Sequence, residues 1–440
     1  MNAAQVSSIF PSLNIPEEAL AAYHAGKAAE NRQQYQEAVG LYDRALVSEA
    51  SAIFLSRVLD KRGNCYWLLG QYEAAARDFQ QALEISNDPG QRARSRARLG
   101  EVADARGWYD EALQLYQAAL EEGMAAGDVL AIGRSQRGLG IVYRRQGNAE
   151  KAIAHLTQAL AAFRQSGEAL EQARVLTSLG RTRYARGEYQ QAITAHTEAL
   201  HILENLGDRW RIALSLNDIG ECHQALYDME VAIDYHGRAL HIAEEENAEV
   251  IMPDIKRNMG LNLVGCGQYA EGITYLDDAL ATAERFGNHE QIALILYALS
   301  QAHINQGDLA QAEETVRHLS KVANELVADR YQALAAFRRG DLLLAKGELS
   351  AATAELQAAM LAAQNSLDRG VLWKLHATMS YVVEDPAIAA IHRHIAADFI
   401  QQTIYPLQDS RLKDVFVHAP PVMAVLAAVG IEPESLVRRN

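Results

Sequence analysis

The chain has 440 residues, 49% of them hydrophobic and 22% charged, with a formal net charge of −15. That much apolar material supports a large core, and the acid excess argues against nucleic acid or anionic lipid as a partner of the average surface. The three cysteines, Cys65, Cys222 and Cys266, are odd in number and far apart, which excludes a disulfide framework and fits a reducing cytoplasm.

Residues 1–16 read as a lead segment broken by Pro11 and Pro16, with Ile9, Phe10, Leu13 and Ile15 apolar enough to dock on the folded part. A basic stretch followed by an apolar run is missing there, so no secretory signal is expected. No apolar run approaches the roughly 18 residues a membrane span requires.

From residue 17 to residue 370 the chain repeats itself. "LGIVYRRQGNAEKAIAHLTQAL" begins at Leu139 and "LGRTRYARGEYQQAITAHTEAL" at Leu179. Aligning every copy on its small residue gives Gly26, Gly63, Gly100, Gly140, Gly180, Gly220, Gly260, Ser300 and Gly340, spaced by 37 twice and then by 40. Seven residues on stands a second glycine in most copies (Gly70, Gly107, Gly147, Gly187, Gly267, Gly307, Gly347), and repeat six has Tyr227 there instead. Two positions later comes an aromatic or apolar side chain. Two alanines at spacing seven follow, such as Ala152 and Ala159. The run before the second glycine is apolar with a 3.6-residue period, which predicts an amphipathic helix A. That glycine accepts the left-handed backbone of a helix C-cap. The alanines share one face of a helix B, where two helices approach closely. β-branched runs of period two do not recur, so the prediction is all-α.

The small–Tyr–Gly–Tyr–Ala–aromatic–Ala skeleton, nine times over residues 20–365, resembles the tetratricopeptide repeat, a helix–turn–helix unit of about 34 residues. The longer spacing, with glycines at Gly127, Gly167, Gly207 and Gly287, is similar to the long-helix versions in kinesin light chains, polarity adaptors and sensor regions of bacterial signalling ATPases. The resemblance implies a right-handed superhelical solenoid whose A helices line a concave groove. One helix pair cannot bury its own apolar face, and stacked copies bury it for one another.

After residue 370 the pattern decays. Residues 371–383 and 386–403 are consistent with a degenerate tenth pair started by Pro386, and the rest of 371–440 reads as helices capping the last apolar face. This tail also resembles the closing segment of repeat regions in large bacterial ATPase and cyclase regulators.

Signs of chemistry are few. The phosphate loop GxxxxGK[ST] is missing, as are GxSxG and HExxH, so no enzyme activity, cofactor or metal is expected. His196 and His236 recur at equivalent places on consecutive B helices, as do His201 and His241. A stacked zinc site needs them at one point, whereas repeat duplication gives the same spacing without one. His392 and His394 are two apart and face different sides of a helix. The cysteines fill helix A positions, where a buried, inert thiol is expected.

The groove-facing side chains follow from helix geometry. With the LG glycine as position 8 and about 100° per residue, positions 4, 7, 8 and 11 form the packed stripe. Positions 2, 5, 6, 9, 12 and 13 share the opposite face. Repeat two places Asp60, Lys61, Asn64 and Trp67 there. Repeat three places Arg94, Arg98, Glu101 and Asp104, and repeat four Arg134, Arg137, Arg144 and Arg145. Repeat five brings Arg174, Thr177, Ser178, Arg181 and Tyr184. Repeat six turns to Asn217, Asp218, Glu221 and Gln224, and repeat seven to Asp254, Arg257 and Asn258. Repeats three to five thus set eight arginines against two acids. Two readings stay open. The arginine forks clamp an acidic peptide, a terminal carboxylate or a phosphorylated segment, or they pair with Glu and Asp of adjacent helices. Trp67 and Tyr184 are candidate apolar anchors or packing residues. Single-stranded RNA would need more interleaved aromatics than these two.

The expected function is protein recognition by a scaffold or sensor that holds a partner peptide or acidic segment in the groove. The alternative is a regulatory subunit of a signalling ATPase, kinase or cyclase that switches on ligand binding. The oligomeric state is not legible.

Overall fold

A computed structural model of the chain describes residues 15–32, 34–46, 50–326, 328–363 and 369–437; the lead segment up to residue 14 lies outside them. The described residues form 23 helices and no strand. They fall into two compact units, one ending at Val175 and the other beginning at Leu176, a division inside one helix.

The first unit contains α1 (Glu17–Asn31), α2 (Tyr35–Ala45), α3 (Ala52–Leu68), α4 (Tyr72–Ile85), α5 (Pro89–Ala105), α6 (Tyr109–Ala126), α7 (Val129–Arg145), α8 (Ala149–Ser166) and the start of α9 (Ala169–Ala185). The second holds the rest of α9, then α10 (Tyr189–Leu206), α11 (Arg209–Ala225), α12 (Met229–Glu245), α13 (Met252–Gly265), α14 (Tyr269–Phe286), α15 (His289–Gln306), α16 (Leu309–Glu325), α17 (Asp329–Ala345) and α18 (Leu349–Ala363). It ends with α19 (Arg369–Val382), α20 (Pro386–Ile404) and three short helices, α21 (Ser410–Val417), α22 (Pro420–Ala428) and α23 (Pro433–Val437). Consecutive helices pack as A and B partners, and A helices also touch the next A helix from α3 to α7 in the first unit and from α11 to α19 in the second.

Local chemistry sets the helix ends. Asp128, Asn148, Asp208, Asn288 and Asp308 each accept a hydrogen bond from the backbone N–H three residues on, the usual N-cap bond. Pro386 opens α20 behind the capping Asp385. Packing explains the small residues. A Cβ on Gly100 would meet the Tyr116 ring at 2.7 Å, so helix A lies directly on the large side chain of helix B. Both alanines of helix B are fully buried in most copies, Ala152 and Ala159 at 0% exposure.

The glycine of the A–B turn takes positive φ, 78° at Gly107 and 76° at Gly147. Repeat six puts Tyr227 there with φ 62°, a conformation that costs a non-glycine residue about 1–2 kcal/mol. One expectation is corrected. Cys65 and Cys222 are buried, but Cys266 is exposed, because it follows the last residue of α13 and leaves the packed stripe.

Candidate functional site

In the first unit, the A helices α3, α5, α7 and the beginning of α9 carry the predicted arginine face. Arg98, at position 6 of α5, donates from Nη1 to Glu101 Oε2 at 2.7 Å. Arg137, at position 5 of α7, donates from Nη2 to the other oxygen of Glu101 at 2.6 Å. Glu171, in the first turn of α9, receives Arg174 Nη1 at 3.2 Å and lies 3.6 Å from Arg137 Nε. Two carboxylates thus bridge three arginines. Arg134 stands apart: it has no ion pair with a described residue, and its buried Nε has no hydrogen-bond partner among them. Asp60 also acts on Arg98 and Arg134. Asp104 acts on Arg137 in turn.

The electrostatics follow from this crowding of charged groups. Burial pushes Glu101 up, but Arg98, Arg137, Arg134 and Arg174 outweigh it and hold its pKa down at about 2. Glu171 is held at about 2 for the same reasons, with Arg174 and Arg137 foremost. Arg174 is brought down to about 10, first by the like charge of Arg137 and then by burial. Burial and the neighbouring Arg98 lower Arg134 as well. Positive charge is crowded at this place.

The other predicted residues of this unit lie elsewhere. Arg94 pairs with Asp128 at 2.8 Å and approaches Asp88 at 3.7 Å. Asn64 donates to Glu30 Oε1 at 3.2 Å, and Tyr42 Oη donates to the other oxygen of Glu30 at 2.9 Å. Trp67 packs beside Ala75, Phe79 and Val102. Arg145 sits at the turn, 3.5 Å from Asp104 and 3.3 Å from Tyr109 Oη, and Arg144 precedes it at the end of α7. Glu171 is the member that periodicity misses, because it precedes the first position of the groove face.

In the second unit the same face is a denser polar ladder. Arg181 reaches both oxygens of Asp218 at 3.2 Å. Asn258 Nδ2 donates to Asn217 Oδ1 at 3.0 Å and to Glu221 Oε1 at 2.8 Å. Arg257 joins Glu221 and Asp254, each at 2.9 Å. Burial raises the Glu221 carboxyl above its usual range against the pull of Arg257. Beyond the predicted residues, Arg338 of α17 lies 3.8 Å over the Tyr297 ring of α15 and donates to the Tyr297 carbonyl at 3.1 Å. His196 and His236 are buried against Gly180 and Gly220, where other repeats place Tyr116 or Leu156. His201 and His241 are exposed on the B helices. His376 and His392, one from each helix of the tenth pair, meet Nδ1 to Nδ1 at 2.9 Å. Among the described residues no three His, Cys, Asp or Glu side chains are placed to hold a metal ion, and no helix is long and apolar enough to cross a membrane.

Tyr184 is partly buried among side chains of the tail. It packs edge-on to Tyr189 at 5.3 Å and belongs to a core built largely from α20 to α23. The tail expected to cap the last repeat therefore also covers the A–B turns of repeats five and six. Leu226 is fully buried there, Tyr227 faces Phe416 at 6.2 Å, and Asp228 receives both Nη groups of Arg411 at 3.0 and 2.7 Å.

Models of the tetratricopeptide repeat match residues 54–122, 90–165, 131–205, 171–245 and 252–325, and a further model of the repeat matches 7–52. No curated protein sequence matches the chain. Among solved structures, that of a Rap protein complexed with competence and sporulation factor is similar at a TM-score of 0.62 and 17% identity, covering 80% of this chain and 99% of that one. The signal transduction ATPase with numerous domains from Pyrococcus horikoshii, which carries a tetratricopeptide repeat sensor, is similar at 0.53 and 16% identity, over 80% of this chain and 54% of that one. These likenesses show the fold, and the repeat matches cover more than half of the sequence. The chain belongs to the tetratricopeptide-repeat family of protein-interaction scaffolds.

Proposed function

We propose that the chain is a scaffold whose arginine cluster in repeats three to five binds an acidic or carboxylate-bearing segment of a protein partner. The observation that carries this reading is Arg134, a guanidinium without an ion pair to a described residue, whose buried Nε–H has no acceptor among them and which lies beside the like charge of Arg98. An acceptor oxygen from a partner would satisfy its Nε–H and relieve the repulsion from Arg98. That the similar Rap protein is complexed with competence and sporulation factor supports a reading in which the repeats hold a partner.

The test is fluorescence anisotropy with a labelled Glu/Asp-rich octapeptide and its Lys-rich counterpart. The acidic peptide should bind the wild type more weakly as salt rises. Arg134→Ala should weaken it about tenfold or more, the loss of one charge-assisted hydrogen bond. Equal affinity for both peptides, or no effect of Arg134→Ala, would overturn the reading.

A second reading is a sensor that changes curvature when its ligand binds, as the sensor of the similar ATPase suggests. Small-angle scattering tests it: an unchanged radius of gyration with saturating peptide counts against it.

A further inference from the structure

A stack of repeats is nearly one-dimensional, since each repeat touches only its neighbours. Within the second unit the tail departs from this rule. The backbone N–H groups of Gln408 and Asp409 both donate to the side-chain oxygen of Gln190. Arg411 grips Asp228 with both Nη groups, 183 residues away in sequence. At the base of the tail, the space for a Cβ on Gly370 is taken by Tyr189 Oη at 2.7 Å. The tail thereby joins the tenth pair to the turns of repeats five and six and closes the intervening repeats on themselves.

The sequence of the repeats carries the mark of this contact. Seven repeats place glycine at the turn, and the residue before it is Leu69, Arg106, Gln146, Arg186, Cys266, Gln306 or Lys346. Repeat six has Leu226-Tyr227. The change puts a tyrosine in the left-handed region at φ 62° and an apolar side chain on a turn that is polar in most copies. Compensation comes from the tail, where Leu407, Leu412, Phe416 and Leu426 enclose Leu226 and Tyr227 in one core.

The far side of the contact is made of short elements. The three last helices have 8, 9 and 5 residues, too short to persist alone in water. Arg411 is about half exposed, with 54% of its side chain accessible, whereas Asp228 is buried at 7%. Losing the arginine leaves His223 Nδ1, at 2.8 Å, to hold the carboxylate.

We infer that residues 405–437 are a releasable clasp, seated on the turns of repeats five and six, that fixes the curvature of repeats five to ten. Release couples unfolding of α21 to α23 with exposure of Leu226 and Tyr227, an order–disorder transition of one segment. The helix pairs of the stack remain formed.

Hydrogen exchange on the full chain, read by mass spectrometry, tests this together with small-angle scattering. Arg411→Asp and Asp228→Arg should each speed exchange of residues 405–437 about tenfold or more, the factor expected for losing a charge-assisted hydrogen bond. The radius of gyration should increase, exchange in α15 and α16 should stay unchanged, and the double exchange of charges should restore protection. Tyr227→Gly is the second arm. It removes the contact with Phe416 and returns the turn to the form of the other repeats, so the tail should loosen while the stack is as stable as before. Tail exchange that rises only together with exchange of α15 and α16 would make the tail an integral part of the core and overturn the inference. Unchanged tail exchange in all three single variants would also overturn it.

Discussion

Replacing Glu101 with glutamine removes the charge that joins α5 to α7. The side chain is 8% exposed and contacts Arg98 at 2.7 Å and Arg137 at 2.6 Å, and both arginines are themselves about a tenth exposed or less. The neutral amide would leave those guanidinium groups facing each other and Arg134. Removing one partner of a buried pair costs about 3–5 kcal/mol. The depression of the Glu101 pKa from 4.5 to about 2 gives an independent figure of about 3 kcal/mol. Native-state hydrogen exchange at the amides of α5 and α7 reads this directly, as a loss of protection of about a hundredfold or more. The pH dependence checks the mechanism. The folded pKa lies below the unfolded one, so the stabilisation is complete above about pH 4.5 and is lost as pH falls toward 2. The gap between wild type and variant should close over that interval. A loss under about 1 kcal/mol, well below the buried-pair range, would refute the bridging role. So would a gap that persists unchanged at the acid end.

Three further outcomes are expected. Gly138→Ala would drive a Cβ to within 2.2 Å of the Tyr116 ring, and such overpacking should lower stability by about 1–3 kcal/mol in urea unfolding. Gly40→Ala, with no neighbour within 4 Å of the new Cβ, should instead gain up to about 1 kcal/mol from helix propensity. Burial, reinforced by Arg257, brings the His236 pKa down to about 3. Its folded value lies below the unfolded one, so native protein holds it neutral and stability falls as pH drops from about 6.5 toward 3. His236→Leu, the residue type of repeats four, seven and nine, should remove about 3 kcal/mol of that loss at pH 4.5 relative to pH 7, read from the urea midpoints. A pH slope equal to that of the wild type would contradict the buried neutral imidazole.

The helix pairs were legible because everything that forms them is local. The capping Asp or Asn, the left-handed glycine and the small residue under Tyr116 or Leu156 recur within each copy, and the contacts they predict span one or two helices. The same local periodicity put arginines of α5 and α7 at matching positions of their helices, and Arg98 and Arg137 meet at Glu101. How those arginines are shared between acids was not legible. Glu101 and Glu171 enter the cluster from different repeats, and which one meets Arg137 depends on the offset between adjacent A helices. The unsatisfied Nε of Arg134 is a property of that packing. The sequence showed Leu226-Tyr227 as a break in the repeat, yet it held no signal for what covers them, since Arg411 and Phe416 lie about 190 residues away in a segment without periodicity. Repetition encodes the contacts between neighbours. The closure of the tail onto repeats five and six joins surfaces that only the accumulated curvature of the stack brings together, and that was decided by the tertiary structure.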